Sequence, residues 1–179
     1  NTPGSGLHLA VSITKNGQNL FHPSIEESEE GRQFVAGVLR RAAEMTIFGN
    51  PLTNSFQRLG EFEAPKYITW SHQNRCPLIT VPLADAVTAS RMNIRSLDSC
   101  INPYIVFALL IHAGLDGIEQ HTPLAPACSV NLFTAPPEVV ARYESIPMSL
   151  CDAIRAAKNS SFIASHLAPR LLDGFFSDK

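Results

Sequence analysis

Fixed cations and an acid fall close together in the middle of this chain. Arg58, Glu63 and Arg75 lie within the run 54–75, NSFQRLGEFEAPKYITWSHQNR, between a helical pattern and a set of short strand patterns. A guanidinium is planar, permanently charged and forked, so it suits a carboxylate or a phosphoryl group through paired hydrogen bonds. An acid set among such cations is a candidate functional group; its other reading is a solvated loop carboxylate. Arg91 and Arg95 form a second cationic pair further on. His8 and Ser12 complete the set. A neutral imidazole shares a hard divalent cation with carboxylates, although a lone strand histidine is by itself weak evidence for a metal.

The elements that position these residues follow from periodicity. Leu7, Leu9, Val11 and Ile13 alternate with His8, Ala10 and Ser12, the period-2 pattern of a half-buried strand. His8 and Ser12 therefore share the face opposite the core. Pro3 and the glycines at 4 and 6 make a turn before it, and Asn16-Gly17 is a hairpin signal after it. From 29 to 48 the apolar residues Phe34, Val35, Val38, Leu39, Ala42 and Met45 recur at helical spacing. Glutamates at its start and arginines further along suit the helix dipole, so the acidic cluster 26–30 reads as a solvated helix start and not a metal site. Gly49-Asn50-Pro51 ends that helix.

Three strand patterns come next, at 67–70, 78–81 and 92–95, punctuated by Pro77, Pro82 and the stretch 85–90. Asn102-Pro103 then caps and opens a helix to about Glu119. It is apolar nearly all round, with Tyr104, Phe107, Ala108, Ile111 and Leu115 assigned to its buried face. A proline-containing connection (122–137) leads to short helices over 148–157 and 162–176.

Bulk composition narrows the function classes. With 179 residues, 45% hydrophobic and 17% charged, the chain reads as one domain, 1–179, with a strand–helix core over 4–121 and C-terminal helices over 137–179. A net charge of −2 gives no basic surface for nucleic acid. The longest apolar run, 104–111, is far short of the roughly 20 residues a membrane-spanning helix needs. Four scattered cysteines without C-x-x-C spacing read as reduced thiols of a cytoplasmic protein. No signal peptide is read, and the start on a Gly-rich motif without Met suggests a fragment.

The run 54–65 with 70–75 resembles the signature of the glutamine synthetase family, N-S-Y/F-K-R-L-x-P-G-F/Y-E-A-P followed by S-x-R-N-R-S. Gly4-Ser5-Gly6-Leu7-His8 with Ser12 resembles that family's N-G-S-G-M-H-x-H-x-S strand. Arg91-Met92-Asn93-Ile94-Arg95 is similar to R-I-E-V/F-R, and Asp98, Asn102-Pro103-Tyr104 and 113–118 (AGLDGI) are similar to its P-D-x-x-x-N-P-Y…A-G-L-D-G-I. The resemblance runs collinearly from Gly4 to Ile118.

The resemblance implies roles residue by residue. Gly4 would lie against the amino-acid substrate, and Arg58 and Arg95 would clamp its carboxylate. Glu63 would close the site and help take a proton from bound ammonium. Arg75 would stabilise the transferring phosphoryl group, Ser12 and Arg91 would meet the nucleotide, and His8 would bind a divalent cation. The cofactors implied are ATP and Mg²⁺ or Mn²⁺. The implied fold is α+β, a mostly antiparallel sheet with helices on one face. Neighbouring subunits of a homo-oligomeric ring would share each active site.

Departures from the family pattern fall mainly at one end. Ala10 stands for a second histidine, Thr80 for an arginine at the ATP phosphates, and Asn93 for a metal-binding glutamate. Cys76 replaces a serine, and Pro3 an asparagine. The Arg58-to-Glu63 interval is one residue shorter than usual, which makes Glu61 a rival for the loop acid. The family's remaining metal carboxylates lie upstream of this sequence. The expectation is therefore the C-terminal portion of an ATP-dependent carboxylate–amine ligase, inactive as this chain alone. The alternative is a degenerate relative that binds an amino acid or a protein partner without catalysis. A plain α+β domain with structural arginines is the third reading.

Overall fold

A computed structural model describes residues 4–177. The turn read over 1–6 therefore lies partly outside the described residues. A four-stranded sheet is built from β1 (Gly6–Val11), β4 (Tyr67–Ser71), β5 (Pro77–Thr80) and β6 (Met92–Asp98), in the order β1-β6-β5-β4. The β1–β6 and β6–β5 pairs are antiparallel and β5–β4 is parallel. Between β1 and the helices sits a hairpin of β2 (Thr14–Lys15) and β3 (Gln18–Asn19). Its turn residues Asn16 and Gly17 have φ of 53° and 79°, the left-handed pair that this tight turn demands.

Helices α1 (Glu29–Arg40), α2 (Ala42–Gly49) and α3 (Pro103–Glu119) are followed by the short α4 (Pro137–Val140), α5 (Leu150–Lys158), α6 (Ser161–His166) and α7 (Pro169–Ser177). Side-chain caps set several starts. Ser28 Oγ accepts from Gly31 N at 2.9 Å, Asn102 Oδ1 from Tyr104 N at 3.1 Å, and Ser149 Oγ from Asp152 N at 3.1 Å. One apolar cluster runs from Phe21, ahead of α1, through Val35, Ile79, Ile94 and Leu109 to Leu167. The connection after α3 covers the outer side of β4: Cys128 N donates to Trp70 O at 2.7 Å and Ile68 N to Glu144 O at 2.8 Å. Among the described residues no helix is long and apolar enough to cross a membrane.

Two helical expectations are corrected. The single helix expected over 29–48 is interrupted at Arg41, whose φ of −94° and ψ of 1° leave the helical range. Its guanidinium is held across the break, by Asp116 at 2.8 Å and Glu44 at 3.1 Å. The second correction is the face of α3. Val106, Leu109, Leu110, Ala113, Gly114 and Gly117 are buried, whereas Tyr104, Phe107, Ile111 and Leu115 are exposed. An all-apolar helix offers two stripes at the same spacing, and the small residues decide between them. A Cβ on Gly37 of α1 would lie 2.2 Å from Ala113 O and 2.7 Å from Gly117 Cα, and one on Gly114 would lie 2.1 Å from the Phe34 ring. Only the face carrying Ala113, Gly114 and Gly117 lets α1 approach this closely.

Candidate functional site

Strand alternation puts one file of residues on the open face of the β1–β6 ribbon. On β1 these are Gly6, His8 and Ala10, and their neighbours Leu7, Leu9 and Val11 turn inward. Gly6 pairs with Asp98 and Ala10 with Asn93. Between them the register slips, because β6 carries an extra residue opposite His8, at Arg95–Ser96. A bulge of this kind re-aims side chains. Here it lets Arg95 share His8's face while Leu97 still packs inward beside Gly49.

The cations converge at one end of this file. Gly4, Gly6, His8, Arg58, Arg75 and Arg95 line a cavity of about 420 Å³, closed on one side by the loop of Glu61, Phe62, Glu63 and Ala64. That loop doubles back tightly. Gly60 N donates to Ala64 O at 2.7 Å, and Gly60, Phe62 and Glu63 have φ of 87°, 44° and 65°. Left-handed backbone at two non-glycine residues is a strain that functional loops hold. It turns the Glu63 carboxylate onto Arg75 at 3.4 Å and Arg95 at 3.9 Å. Glu61 also lines the cavity but pairs with neither arginine among the described residues. The short Arg58-to-Glu63 interval thus still delivers Glu63 to the cations.

Arg58 is the most firmly anchored cation. Its Nη2 donates to Asn50 Oδ1 at 2.9 Å and to the Ser96 carbonyl, and its Nη1 lies 3.4 Å from where a Gly6 Cβ would be. Burial lowers the pKa of Arg58, opposed by the Asp98 charge; burial and then the Arg75 charge lower that of Arg95. The Nε atoms of both arginines are buried without a hydrogen-bond partner among the described residues. Such donors are costly to leave unmade. His8 is held below its ordinary value of 6.5, by burial and then by Arg95, Arg58 and Arg75. It is therefore a neutral imidazole near pH 7.

The other named candidates lie elsewhere on the same face. Ser12 and Arg91 are exposed and follow directly from the Val11–Met92 pair, at the far end of the ribbon from Arg58. Ala10 and Asn93 lie between these ends, and Thr80 of β5 pairs with Asn93 on its other side. His8 stands as a lone potential metal ligand in this chain: among the described residues no three of His, Cys, Asp and Glu gather around a common point. Sequence reasoning missed Asn50 and Asp98 as site residues. Asn50 sits in a Gly-Asn-Pro stop signal and Asp98 just before a helix cap, and both contexts have structural explanations of their own.

Comparison with known proteins addresses the chain as a whole. Residues 1–179 match the family model described as "Glutamine synthetase, catalytic domain". The chain is 35% identical over 185 residues to the glutamine synthetase of Mycobacterium tuberculosis (strain ATCC 25618 / H37Rv), covering 99% of this chain and 42% of the relative. It is 36% identical over 182 residues to that of Staphylococcus aureus (strain MW2), covering 98% of this chain and 41% of the relative. A solved structure of a GmaS/ADP complex superposes with a TM-score of 0.81 at 28% identity, covering 98% of this chain and 43% of that one. Apo GmaS gives 0.78 at 28% identity, with 98% and 42% covered. The chain thus spans about two fifths of the length of the relatives it matches.

Proposed function

Because this chain belongs to the glutamine synthetase family, we propose that its cavity is the amino-acid half of a family-type ligase site. Arg58 and Arg95 hold the ligand carboxylate, Glu63 covers it, and the exposed Arg75 faces the charge of a transferring phosphoryl group. The full-length protein is then an ATP-dependent carboxylate–amine ligase acting on glutamate as a homo-oligomer, while this chain alone binds the acid without turning over. The observation that carries the reading is the convergence of Arg58, Arg75, Arg95 and Glu63 on one cavity.

A second reading rests on the row Ala10, Asn93 and Thr80. Charge aimed at a transition state accounts for roughly 10²–10³ in rate per group, and this row supplies none. On that reading the full-length protein binds an amino acid without catalysis.

Both are tested by ADP release from the full-length protein with Mg²⁺ or Mn²⁺, glutamate and a panel of amines. Turnover abolished by Arg75→Ala supports the ligase. Absent turnover, with amino-acid binding that Arg58→Ala removes, leaves the binding protein. Absence of both turnover and amino-acid binding overturns the assignment of the cavity.

A further inference from the structure

Arg75 is held differently from Arg58. The guanidinium of Arg58 is fixed by Asn50 and the Ser96 carbonyl. Arg75 is exposed, and its one side-chain partner among the described residues is Glu63, at 3.4 Å. With so little hold on its guanidinium, Arg75 takes its aim from its backbone.

That backbone is bracketed on both sides. Asn74 Oδ1 accepts from Cys76 N at 3.1 Å, an Asx turn that spans Arg75. The Asn74 carbonyl accepts from the buried Ser71 Oγ at 2.6 Å. Asn74 Nδ2 donates to the Val130 carbonyl, 56 positions away in the connection after α3. The same connection supplies Asn131, whose Oδ1 lies 3.0 Å from the buried Cys76 thiol and accepts from Phe133 N at 3.0 Å. Cys128 and Leu132 pack with Cys76 in a small cluster apart from the main core, and Cys128 N ties the segment to β4. Asn74 thus joins the turn around Arg75 to a segment that is itself braced. Its side chain is not among those lining the cavity.

On the ligase reading of the cavity, we infer that Asn74 is a positioning residue: backed by the segment 128–133, it aims Arg75 at the transferring phosphoryl group. The test is steady-state ADP release by the full-length protein with Mg²⁺, glutamate and the amine that gives the fastest turnover. In Asn74→Ala, kcat should fall about ten- to a hundredfold, the cost of a misplaced catalytic group. The KM for glutamate, which Arg58 and Arg95 hold, should stay within about twofold. Asn74→Asp keeps an oxygen to bracket Arg75 and should recover most of the lost kcat. If Asn74→Ala does not fold, Asn131→Ala carries the test: it loosens the segment behind Asn74 and should lower kcat less, at the same KM. Unchanged kcat in Asn74→Ala overturns the inference and leaves the ligase standing. So does a KM for glutamate that rises in step with the fall in kcat, the mark of damage to the whole site. A parent that releases no ADP overturns the ligase reading, and this inference with it.

Discussion

Asn50 holds Arg58 in place: its Oδ1 accepts from Arg58 Nη2 at 2.9 Å, from a side chain only 1% exposed at the end of α2. Its own Nδ2 donates to Thr46 O at 3.4 Å, so the amide is fixed at both ends. The guanidinium is thereby oriented before any ligand arrives, which lowers the ordering cost of binding.

Asn50→Leu should therefore affect stability and recognition together. Removing the acceptor leaves a partly buried charged donor short of one partner, at about 1–3 kcal/mol. The urea midpoint should fall accordingly, and the Kd for an amino-acid carboxylate should rise at least about tenfold. A variant as stable as the parent with unchanged affinity would show that Ser96 O alone positions Arg58.

The α1–α3 crossing gives a sharper contrast between glycines. In Gly37→Ala the new methyl meets backbone on the partner helix, with Ala113 O at 2.2 Å. Backbone does not rotate away, so the loss should reach the top of the overpacking range, about 3 kcal/mol. Gly174 in α7 has nothing within 4 Å of the place its methyl would take, and no positive φ. Gly174→Ala should gain about 0.5–1 kcal/mol from helix propensity alone. Thermal or urea unfolding of the two variants checks the pair, and equal effects would argue against the close crossing.

These contacts mark the boundary of what the sequence discloses. Alternation in Leu7–Val11 and the Asn-Gly turn are local signals, and both elements form where the pattern puts them. Asn102-Pro103 likewise sets the start of α3. Which face of α3 is buried is a tertiary question, because leucine, isoleucine and phenylalanine surround the helix and only the fit against Gly37 chooses. The break at Arg41 is similar, since Asp116, which holds it, lies 75 positions away. At the site, the residue types in the Arg58–Arg75 run announce a cationic cluster. The bulge opposite His8 and the gathering of Ala10, Asn93 and Thr80 into one row depend on strand register, which single residues do not reveal.

Acid should destabilise the fold in two ranges. Above its ordinary value of 6.5, His8 is neutral in both the folded and the unfolded chain. Below it the unfolded chain takes the proton first, so stability falls as pH drops through the lower folded value. Burial by itself would raise Glu26, but hydrogen bonds from Ser24, its own backbone and His72 hold it below 4.5. Burial is likewise outweighed at Asp98 by hydrogen bonds from Cys100 and Ser55 and by the Arg58 charge, which hold it below 3.8. Their contribution is present above those ordinary values and is lost as pH falls through the folded ones. Urea midpoints from pH 8 to 3 should decline below about 6.5 and again below about 4.5. The His8 imidazole resonance should titrate below 6.5 and move up in Arg95→Gln. Stability that rises between pH 7 and 5 would contradict the assignment of His8.

The two faces of α3 predict opposite responses to substitution. Leu109 is 1% exposed and sits in the main core, so Leu109→Ala should cost about 2–5 kcal/mol through lost burial and the cavity left behind. Ile111, two residues on, is 53% exposed beside Phe107 and Leu115. Ile111→Lys removes little buried surface and should change stability by no more than about 0.5 kcal/mol. The same change places a charge in a contiguous apolar stripe, the kind of surface that promotes association. It should lower any concentration-dependent self-association seen by sedimentation, while Leu109→Ala leaves the stripe untouched. Had the helix been turned the other way, with Tyr104, Phe107, Ile111 and Leu115 inward, Ile111→Lys would bury an unpaired ammonium and unfold the chain. Urea unfolding of these two variants therefore reads the orientation of α3 directly, and with it the close α1 packing that rests on Ala113, Gly114 and Gly117.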